Sequence, residues 1–476
     1  MIDRINDMVI SAILDTDSYK FSHYCGYPPG TSSMFSYLES RGGKFEYSTL
    51  FGLQYIAHKY LAKQITAQDV SEAANFAEDH GVPFNREGWE VIVQDYNGFL
   101  PVTIRAIPEG MLVPTGNVLL TVGSVDDPRV FWVTNWIETL LSRIWYPSTV
   151  AMQSREIRQM WAKYLEKSSD NPAAELDFKH HDFGSRGVTS QEQAMLGGAA
   201  HLLSFSGTDT VAGVRLAQHY YGADMPGFSI PATEHSVMTA WGAKGEAGAI
   251  DNWIEQTLVK QGPGSISACV GDTYNIFNFV REVCSHKNAT RIKESGGTLV
   301  IRPDSGNPLV LIPNLLHLIR DLLPEREVVT NAKGYDVLPS YLRIIWGDGI
   351  DIESAENILK KVTSEGWSAS NIAFGSGGGL LQNVNRDTQR FAFKCSSVRV
   401  NGEDVAVRKD PITDSGKRSK AGRLDLIRDY EGNIRTVVIG DEPAHARTLL
   451  RTAYCNGEIH TQTTFDACKK RLRGGE

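Results

Sequence analysis

The sequence is short of the features that mark secreted, membrane-embedded or nucleic-acid-binding chains. Its six cysteines (Cys25, Cys269, Cys284, Cys395, Cys455, Cys468) are scattered and form no Cys-x-x-Cys pair. That argues against a disulfide frame or a zinc site and for reduced thiols in a cytoplasm. No apolar run is long enough to span a bilayer. The acidic start, Met1 to Asp7, lacks the basic lead and apolar core of a signal peptide. A net charge of -8 argues against general nucleic-acid binding. There is no low-complexity tract, no repeat, no His-Glu-x-x-His frame and no Walker loop. What remains is a 476-residue chain, 41% apolar, of ordinary enzyme composition. That length predicts two domains, or one barrel with a large elaboration.

The second half is the informative part. Strand-like runs there each end in a turn that carries a charged group or glycines. Gly297–Ile301 leads into Arg302-Pro303-Asp304-Ser305-Gly306, and Tyr341–Trp346 into Gly347-Asp348-Gly349. Asn371–Phe374 leads into Gly375-Ser376-Gly377-Gly378-Gly379. Upstream, Ser265–Val270 reaches Gly271-Asp272, Gly227–Thr233 reaches Glu234-His235, and a less regular run, Glu175–His180, reaches His181-Asp182-Phe183-Gly184. Apolar helical segments, Pro313–Leu322 and Ala355–Val362, separate the runs. Strands alternating with helices imply parallel pairing, and chemistry at successive strand ends is how an α/β barrel builds a site. The alternation starts near 176 and stops near 385. Phe391–Val400 and Asn433–Ile439 then read as antiparallel strands. The expected organisation is an irregular parallel α/β barrel over 176–384 and a discontinuous β-rich α+β domain from 1–175 and 385–476.

Each candidate residue has a bland reading beside its sharp one. The glycine cluster 375–379 suits a phosphate, because backbone N–H groups can converge there; a tight strand-to-helix turn is the alternative. Arg302 and Asp304, stiffened by Pro303, could meet ribose hydroxyls or a hydrated Mg²⁺, or form a salt bridge closing the rim. Asp348, between two glycines that permit close approach of a ligand, has the same ambiguity. His235 could be a base, a metal ligand, a phosphorylated nucleophile or simply structural. Asp209 could cap a helix. The basic loop with Lys409, Lys417, Arg418, Lys420 and Arg423 is either solvated surface or a polyphosphate attractor, as are Arg386 and Lys394.

Together the motifs resemble the nicotinamide phosphoribosyltransferases, within the type II phosphoribosyltransferase family, over nearly the whole chain. The matching stretches are Thr16–Lys20, Tyr27–Pro29, Thr134–Thr139, His181–Gly184, Gly207–Gly213, Glu234–Ser236, Arg302–Pro308 and Ala373–Gln382. The resemblance implies a homodimer with shared active sites. It also implies that nicotinamide and 5-phosphoribosyl-1-pyrophosphate (PRPP) give nicotinamide mononucleotide and pyrophosphate. Mg²⁺ would be required, and ATP would be a co-substrate that phosphorylates His235.

Carried over residue by residue, Phe183 and the partner subunit's Tyr19 should sandwich the pyridine ring, and Asp209 should accept from the carboxamide NH₂. Arg302 should face the pyridine and ribose. Asp304, Gly347 and Asp348 should meet ribose hydroxyls. Gly377 and Gly378 should hold the 5-phosphate, helped by Arg386 and Lys394 across the dimer. Arg186, Lys409, Lys417 and Arg418 should meet pyrophosphate or ATP phosphates, and Asp272 should orient His235. The metal ligands are unassigned beyond Mg²⁺ riding on substrate phosphates. One position departs from the vertebrate pattern: Ala392 stands where a serine approaches the phosphate. The rival readings are a nicotinate-specific enzyme of the same fold, a phosphate-binding barrel aldolase or isomerase, and a non-enzymatic chain that keeps the fold. No strand-end lysine supports the aldolase, and the intact residue set argues against the last.

Overall fold

Parallel pairing with helical crossovers organises one half of the chain in the computed structural model, which describes residues 11–413, 418–443, 445–460 and 462–475. Two units result: 153–219 with 223–384, and 11–152 with 220–222 and the described residues from 385 onward. The boundary falls after 152, not 175. The helix Trp145–Ser168 runs across it, and its later part is tied to the parallel unit. Gln153 Nε2 donates to the Gly379 and Leu380 carbonyls, and the Ser168 carbonyl accepts from Ser368 Oγ and Asn331 Nδ2.

The parallel sheet of this unit has six strands: β1 (His180–Asp182), β2 (Gly207–Thr208), β3 (Ile266–Val270), β4 (Thr298–Arg302), β5 (Leu342–Trp346) and β6 (Ile372–Ser376). Their spatial order is β2-β1-β6-β5-β4-β3, and every pairing is parallel. Helices Ile276–Val283 and His286–Ser295 connect β3 to β4, Pro308–Leu322 connects β4 to β5, and Ile352–Ser364 connects β5 to β6. The last shows why these residues make crossovers. Asp351 and Ser354 form a capping box, and Ala355, Ile358, Leu359 and Val362 recur at helical spacing and are buried.

The expected strand before His235 is not a regular strand. Pro231 has no N–H to give, and the segment pairs with the neighbouring strands through the isolated bridges Gly207↔Phe228 and Ala232↔Ala268. Those bridges fill the gap between edge strands β2 and β3, so the barrel closes irregularly. Thr208 N donates to the Phe228 carbonyl at 2.9 Å, and Ala268 N to the Pro231 carbonyl at 2.8 Å. Three other boundaries shift. The turn Leu176–Phe178 is 3₁₀, so β1 starts at His180 and runs through His181 and Asp182. Strand β6 runs through Gly375 and Ser376, which pair with His181 and Asp182. The helix expected from Pro313 starts at Pro308, capped by Asn307. Ala268, Val300 and Ile345 pack together inside, with Phe183, Ile230 and Ala373 against them.

The other unit carries a seven-stranded antiparallel sheet. Its order is Glu403–Ala406, Phe391–Val400, Thr31–Ser40, Val118–Ser124, Val102–Ala106, Arg451–Cys455, Glu458–Ile459. A three-stranded sheet, Ile434–Val438, Leu424–Arg428, Arg447–Thr448, accompanies it. The apolar run Phe131–Arg143 forms two short helices, Val133–Trp136 and Glu138–Ser142. Its tryptophans pack edge to face with Trp89 at centroid distances near 5 Å. Among the described residues no helix is long and apolar enough to cross a membrane.

Candidate active site

All six strands point the same way, so their carboxyl ends share one rim. On that rim a cavity of about 620 Å³ is lined by Phe183, Arg186, Asp209, Arg302, Asp304, Gly347, Asp348, Gly377 and Gly378. Nine of the residues picked out in the sequence therefore meet in one space. Ser185, Gly187, Gly349, Ile350 and Gly379 complete the lining. Gly349 and Gly379 belong to motifs read in the sequence; Ser185, Gly187 and Ile350 were not singled out there, although each lies beside a residue that was.

The glycines divide into two kinds. A Cβ on Gly375 would collide with the Phe183 ring, one on Gly347 would stand 3.2 Å from it, and one on Gly379 would strike the Ile350 carbonyl. These glycines are required by the protein's own packing. Gly347 and Gly375 make room for the Phe183 ring at the ends of β5 and β6, and Phe183 N donates to the Ser376 carbonyl at 2.9 Å. Gly377 and Gly378 are different. An added Cβ would be 3.5 Å from the Phe183 carbonyl oxygen at the first and 3.3 Å from Gln382 Oε1 at the second. The protein has room, or nearly room, for a side chain at both. Their bare backbone faces the cavity.

Asp209 follows β2 and is exposed. Its amide donates to the Asp182 carbonyl at 2.9 Å, and its Oδ1 accepts from Ser229 Oγ. Ser229 lies on the irregular closing segment, so its proximity is invisible in the linear sequence. Behind this rim Asp182 is fully buried, and Gly184 N donates to its Oδ1 at 2.7 Å. Burial pushes its carboxyl up to about 6 against the pull of that N–H, and Asp209 pushes it in the same direction as burial. The neighbouring His201 is driven down to about 3 by burial, which keeps it neutral. His180 is lowered for the same reason, and its Nε2 lies 2.8 Å from Ser376 Oγ beneath the glycine loop.

Arg302 and Asp304 do form the salt bridge, Nη2 to Oδ2 at 3.0 Å. The bridge does not use up the guanidinium. Arg302 Nε is buried with no hydrogen-bond partner among the described residues. An unpaired buried donor is costly, and an acceptor on a bound molecule relieves it. His235 opens a short helix, His235–Thr239, with Nε2 3.1 Å from Asp272 Oδ1. Asp272 Oδ2 accepts from Ser305 Oγ, which ties this pair to the Arg302–Asp304 turn. The two carboxylates Asp304 and Asp348 at the cavity wall suit a hydrated divalent cation that arrives on phosphates. Among the described residues no group of three His, Cys, Asp or Glu side chains forms a cage of its own.

The remaining candidates belong to the antiparallel unit. Tyr19 lies on the 3₁₀ segment Ser18–Cys25 with its ring 60% exposed. Arg386 opens a 3₁₀ turn, and Lys394 lies within Phe391–Val400. Burial lowers the Lys394 pKa. Glu138 opposes that shift, and Arg41, Arg386 and Lys409 reinforce it. Lys409 pairs through its backbone with Ser419, and Arg418 lies 3.6 Å from Asp410. Lys417 lies outside the described residues.

Residues 178–458 match the family model described as "Nicotinate phosphoribosyltransferase (NAPRTase) family", and residues 11–104 match "Nicotinamide phosphoribosyltransferase, N-terminal domain". A nicotinamide phosphoribosyltransferase of Xanthomonas campestris pv. campestris is 45% identical over 458 residues, covering 95% of this chain and 96% of that one. One from Acinetobacter baylyi is 30% identical, covering 96% of each. Two solved structures share the fold. A nicotinate-nucleotide pyrophosphorylase from Pyrococcus furiosus has TM-score 0.59 at 15% identity, covering 96% of this chain and 93% of that one. Human nicotinic acid phosphoribosyltransferase has TM-score 0.54 at 18% identity, covering 96% and 92%.

Proposed function

The chain belongs to the nicotinate phosphoribosyltransferase family, and from that premise we propose that it is a nicotinamide phosphoribosyltransferase. It joins nicotinamide to PRPP, releases pyrophosphate and returns the base to NAD synthesis as nicotinamide mononucleotide. The observation that carries this reading is the shared cavity. It sets the Asp209 carboxylate and the Phe183 ring in one space with the two bare glycines, 377 and 378.

The chemistry is displacement at the ribose anomeric carbon. The bond to the pyrophosphate oxygen breaks, the pyridine nitrogen supplies the new bonding pair, and positive charge accumulates on the sugar between the two events. Nicotinamide is a neutral, weak nucleophile, so orientation matters more than deprotonation. Phe183 offers one face for stacking, and Asp209 accepts from the carboxamide NH₂. The carboxylates of Asp304 and Asp348 bind ribose hydroxyls and favour the cationic sugar. The Gly377 and Gly378 amides receive the 5-phosphate, and Arg186 and Arg302 receive oxygens on the donor. Mg²⁺ held through water at Asp304 and Asp348 would offset charge on the departing pyrophosphate.

A homodimer with shared sites completes the reading. The partner's Tyr19 covers the second face of the ring, and Arg386, Lys394, Lys409, Lys417 and Arg418 meet phosphates. This part rests on the motif resemblance. ATP hydrolysis is coupled through His235. A tautomer that donates Nε2–H to Asp272 keeps the lone pair on Nδ1. That nitrogen attacks the γ-phosphorus, ADP departs, and the phosphoryl group adds negative charge beside the pyrophosphate site until water removes it.

A carboxylate at 209 disfavours the nicotinate alternative, because the two anions would face each other. The test is a mass-spectrometric product assay with nicotinamide, PRPP and Mg²⁺, with and without ATP. Nicotinamide mononucleotide and pyrophosphate are expected, with more product when ATP is present. No mononucleotide from nicotinamide under either condition refutes the assignment.

A further inference from the structure

Phe183 and Asp209 follow neighbouring strand ends, and the same kind of turn brackets each. Asp182 is the last residue of β1 and is fully buried. Its Oδ1 accepts from Gly184 N at 2.7 Å, which closes a turn around Phe183. Thr208 ends β2, and its Oγ1 accepts from Thr210 N at 2.9 Å, which closes a matching turn around Asp209. Asp182 also joins the two turns to each other. It stands opposite Thr208 in the parallel pairing of β1 with β2. Asp209 N donates to the Asp182 carbonyl at 2.9 Å, and Thr208 Oγ1 lies 3.5 Å from Asp182 Oδ2, a long contact.

Asp182 does not line the cavity that Phe183 and Asp209 share. Its charge does not stabilise the fold either. Burial, reinforced by Asp209, pushes its carboxyl up to about 6 while the Gly184 N–H and the Thr210 and Thr208 hydroxyls pull the other way. At neutral pH the ionised group therefore costs folding free energy. The histidines nearby offer it no counter-charge, since burial lowers His180, His181 and His201 and keeps them neutral. What this residue does supply is geometric: one carboxyl and one carbonyl set the Phe183 turn and the Asp209 turn against each other.

We propose that Asp182, acting with Thr208, is a positioning residue for the base: it fixes the Phe183 ring relative to the Asp209 carboxylate, so that a pyridine carboxamide is stacked and hydrogen-bonded in one pose. Loosening either turn lets ring and carboxylate shift independently. The pose that aims the ring nitrogen at the anomeric carbon is then lost. The donor's phosphates, received at the glycine loop and Arg186, are not held by these turns. The inference rests on the reading above that Phe183 and Asp209 receive nicotinamide, and it adds the two residues behind them that set their geometry.

The test uses the full-length enzyme and compares Asp182→Ala, Asp182→Asn, Thr208→Val and Asp209→Ala with the parent. Measured are KM for nicotinamide, KM for PRPP, kcat, and the ratio of mononucleotides formed when nicotinamide and nicotinate compete, with thermal melting as the fold control. Asp182→Ala should raise the nicotinamide KM about tenfold and lower the preference for nicotinamide about tenfold, with the PRPP KM within about twofold of the parent. Asp182→Asn, which keeps an acceptor for Gly184 N, should bring both back to within about threefold. A purely structural role would lower melting without separating the two KM values. If Asp182→Ala does not fold, Thr208→Val carries the test: it keeps the side-chain shape, takes the acceptor from Thr210 N, and should raise the nicotinamide KM alone. Folded Asp182→Ala and Thr208→Val enzymes with the parent's nicotinamide KM overturn the inference. So does an equal rise in both KM values, or an Asp182→Asn enzyme as impaired as Asp182→Ala. If Asp209→Ala raises the nicotinamide KM while the variants at 182 and 208 do not, only the inference falls; if Asp209→Ala is also silent, the reading of this cavity as the base site falls with it.

Discussion

Replacing Asp209 is the sharpest perturbation of base choice. In the bound state its carboxylate would meet either an amide NH₂ or a second carboxylate. A hydrogen bond to a charged acceptor contributes about 1.5–3 kcal/mol. Two like charges about 4 Å apart at an effective dielectric near 20 repel by about 4 kcal/mol. Together these give a preference for nicotinamide over nicotinate of about 10⁴ in kcat/KM. Asp209→Asn keeps an acceptor of the same shape and removes the charge. It should lose the repulsive part, about 10²–10³ in the ratio, and cost the nicotinamide reaction about tenfold. Asp209→Ala should cost nicotinamide about 10- to 100-fold, because the NH₂ then has no partner. Ser229 Oγ, which donates to Asp209 Oδ1, sharpens the reading. Ser229→Ala removes a competitor for the same oxygen and should leave the base ratio within a few fold. The assay is direct competition between the two bases at fixed PRPP, read as the ratio of mononucleotides. Equal use of both by the parent, or an unchanged ratio in Asp209→Asn, refutes the argument.

Other outcomes follow from the same geometry. Gly377→Ala and Gly378→Ala should fold with melting close to the parent, yet raise the PRPP KM by about 100-fold, because the added methyl occupies the ligand's side of the loop. Gly375→Ala should instead lower melting, since it displaces Phe183, and should raise the nicotinamide KM as well. His235→Ala should lose ATP stimulation while keeping ATP-independent synthesis, and Asp272→Asn should shift in the same direction; full ATP coupling in His235→Ala removes that residue from the mechanism. Asp182 gives a pH signature. Its folded carboxyl sits at about 6, above its unfolded value near 4, so the folded state binds more protons between the two and stability falls as pH rises through that window. Denaturant unfolding from pH 4 to 7 should show the parent losing up to about 3 kcal/mol relative to Asp182→Asn, and a constant difference between the two would contradict the cause assigned.

How much of this could be read from the chain itself depends on distance along it. The rim residues were legible because each strand end is punctuated locally by glycine or by a charged pair. Arg302 to Gly306 and Gly375 to Gly379 needed no three-dimensional information to be suspected. Strand β1 and the segment before His235 were misjudged where tertiary context overrode pattern. A 3₁₀ turn took the start of the first, and Pro231 with isolated bridging replaced the second. The partners that tune the site were not legible. Ser229 reaches Asp209 from 20 residues away, and Ser305 reaches Asp272 from 33 away. Nothing in local sequence distinguishes glycines whose added Cβ would collide with Phe183 from those with room for one; only the space around each tells them apart.

The seating of Phe183 on Gly375 and Gly347 limits how this enzyme can escape a drug. On the proposed role of Phe183, a competitive inhibitor that mimics the base would lie on that ring, and the cheapest mutational defence would be to grow a side chain beneath or beside it. On that reading the route displaces a ring the substrate would also need, and it disturbs the strand end that begins the glycine loop. Resistance through these two positions should therefore carry a loss of fitness, and tolerated escape mutations should cluster elsewhere on the cavity wall.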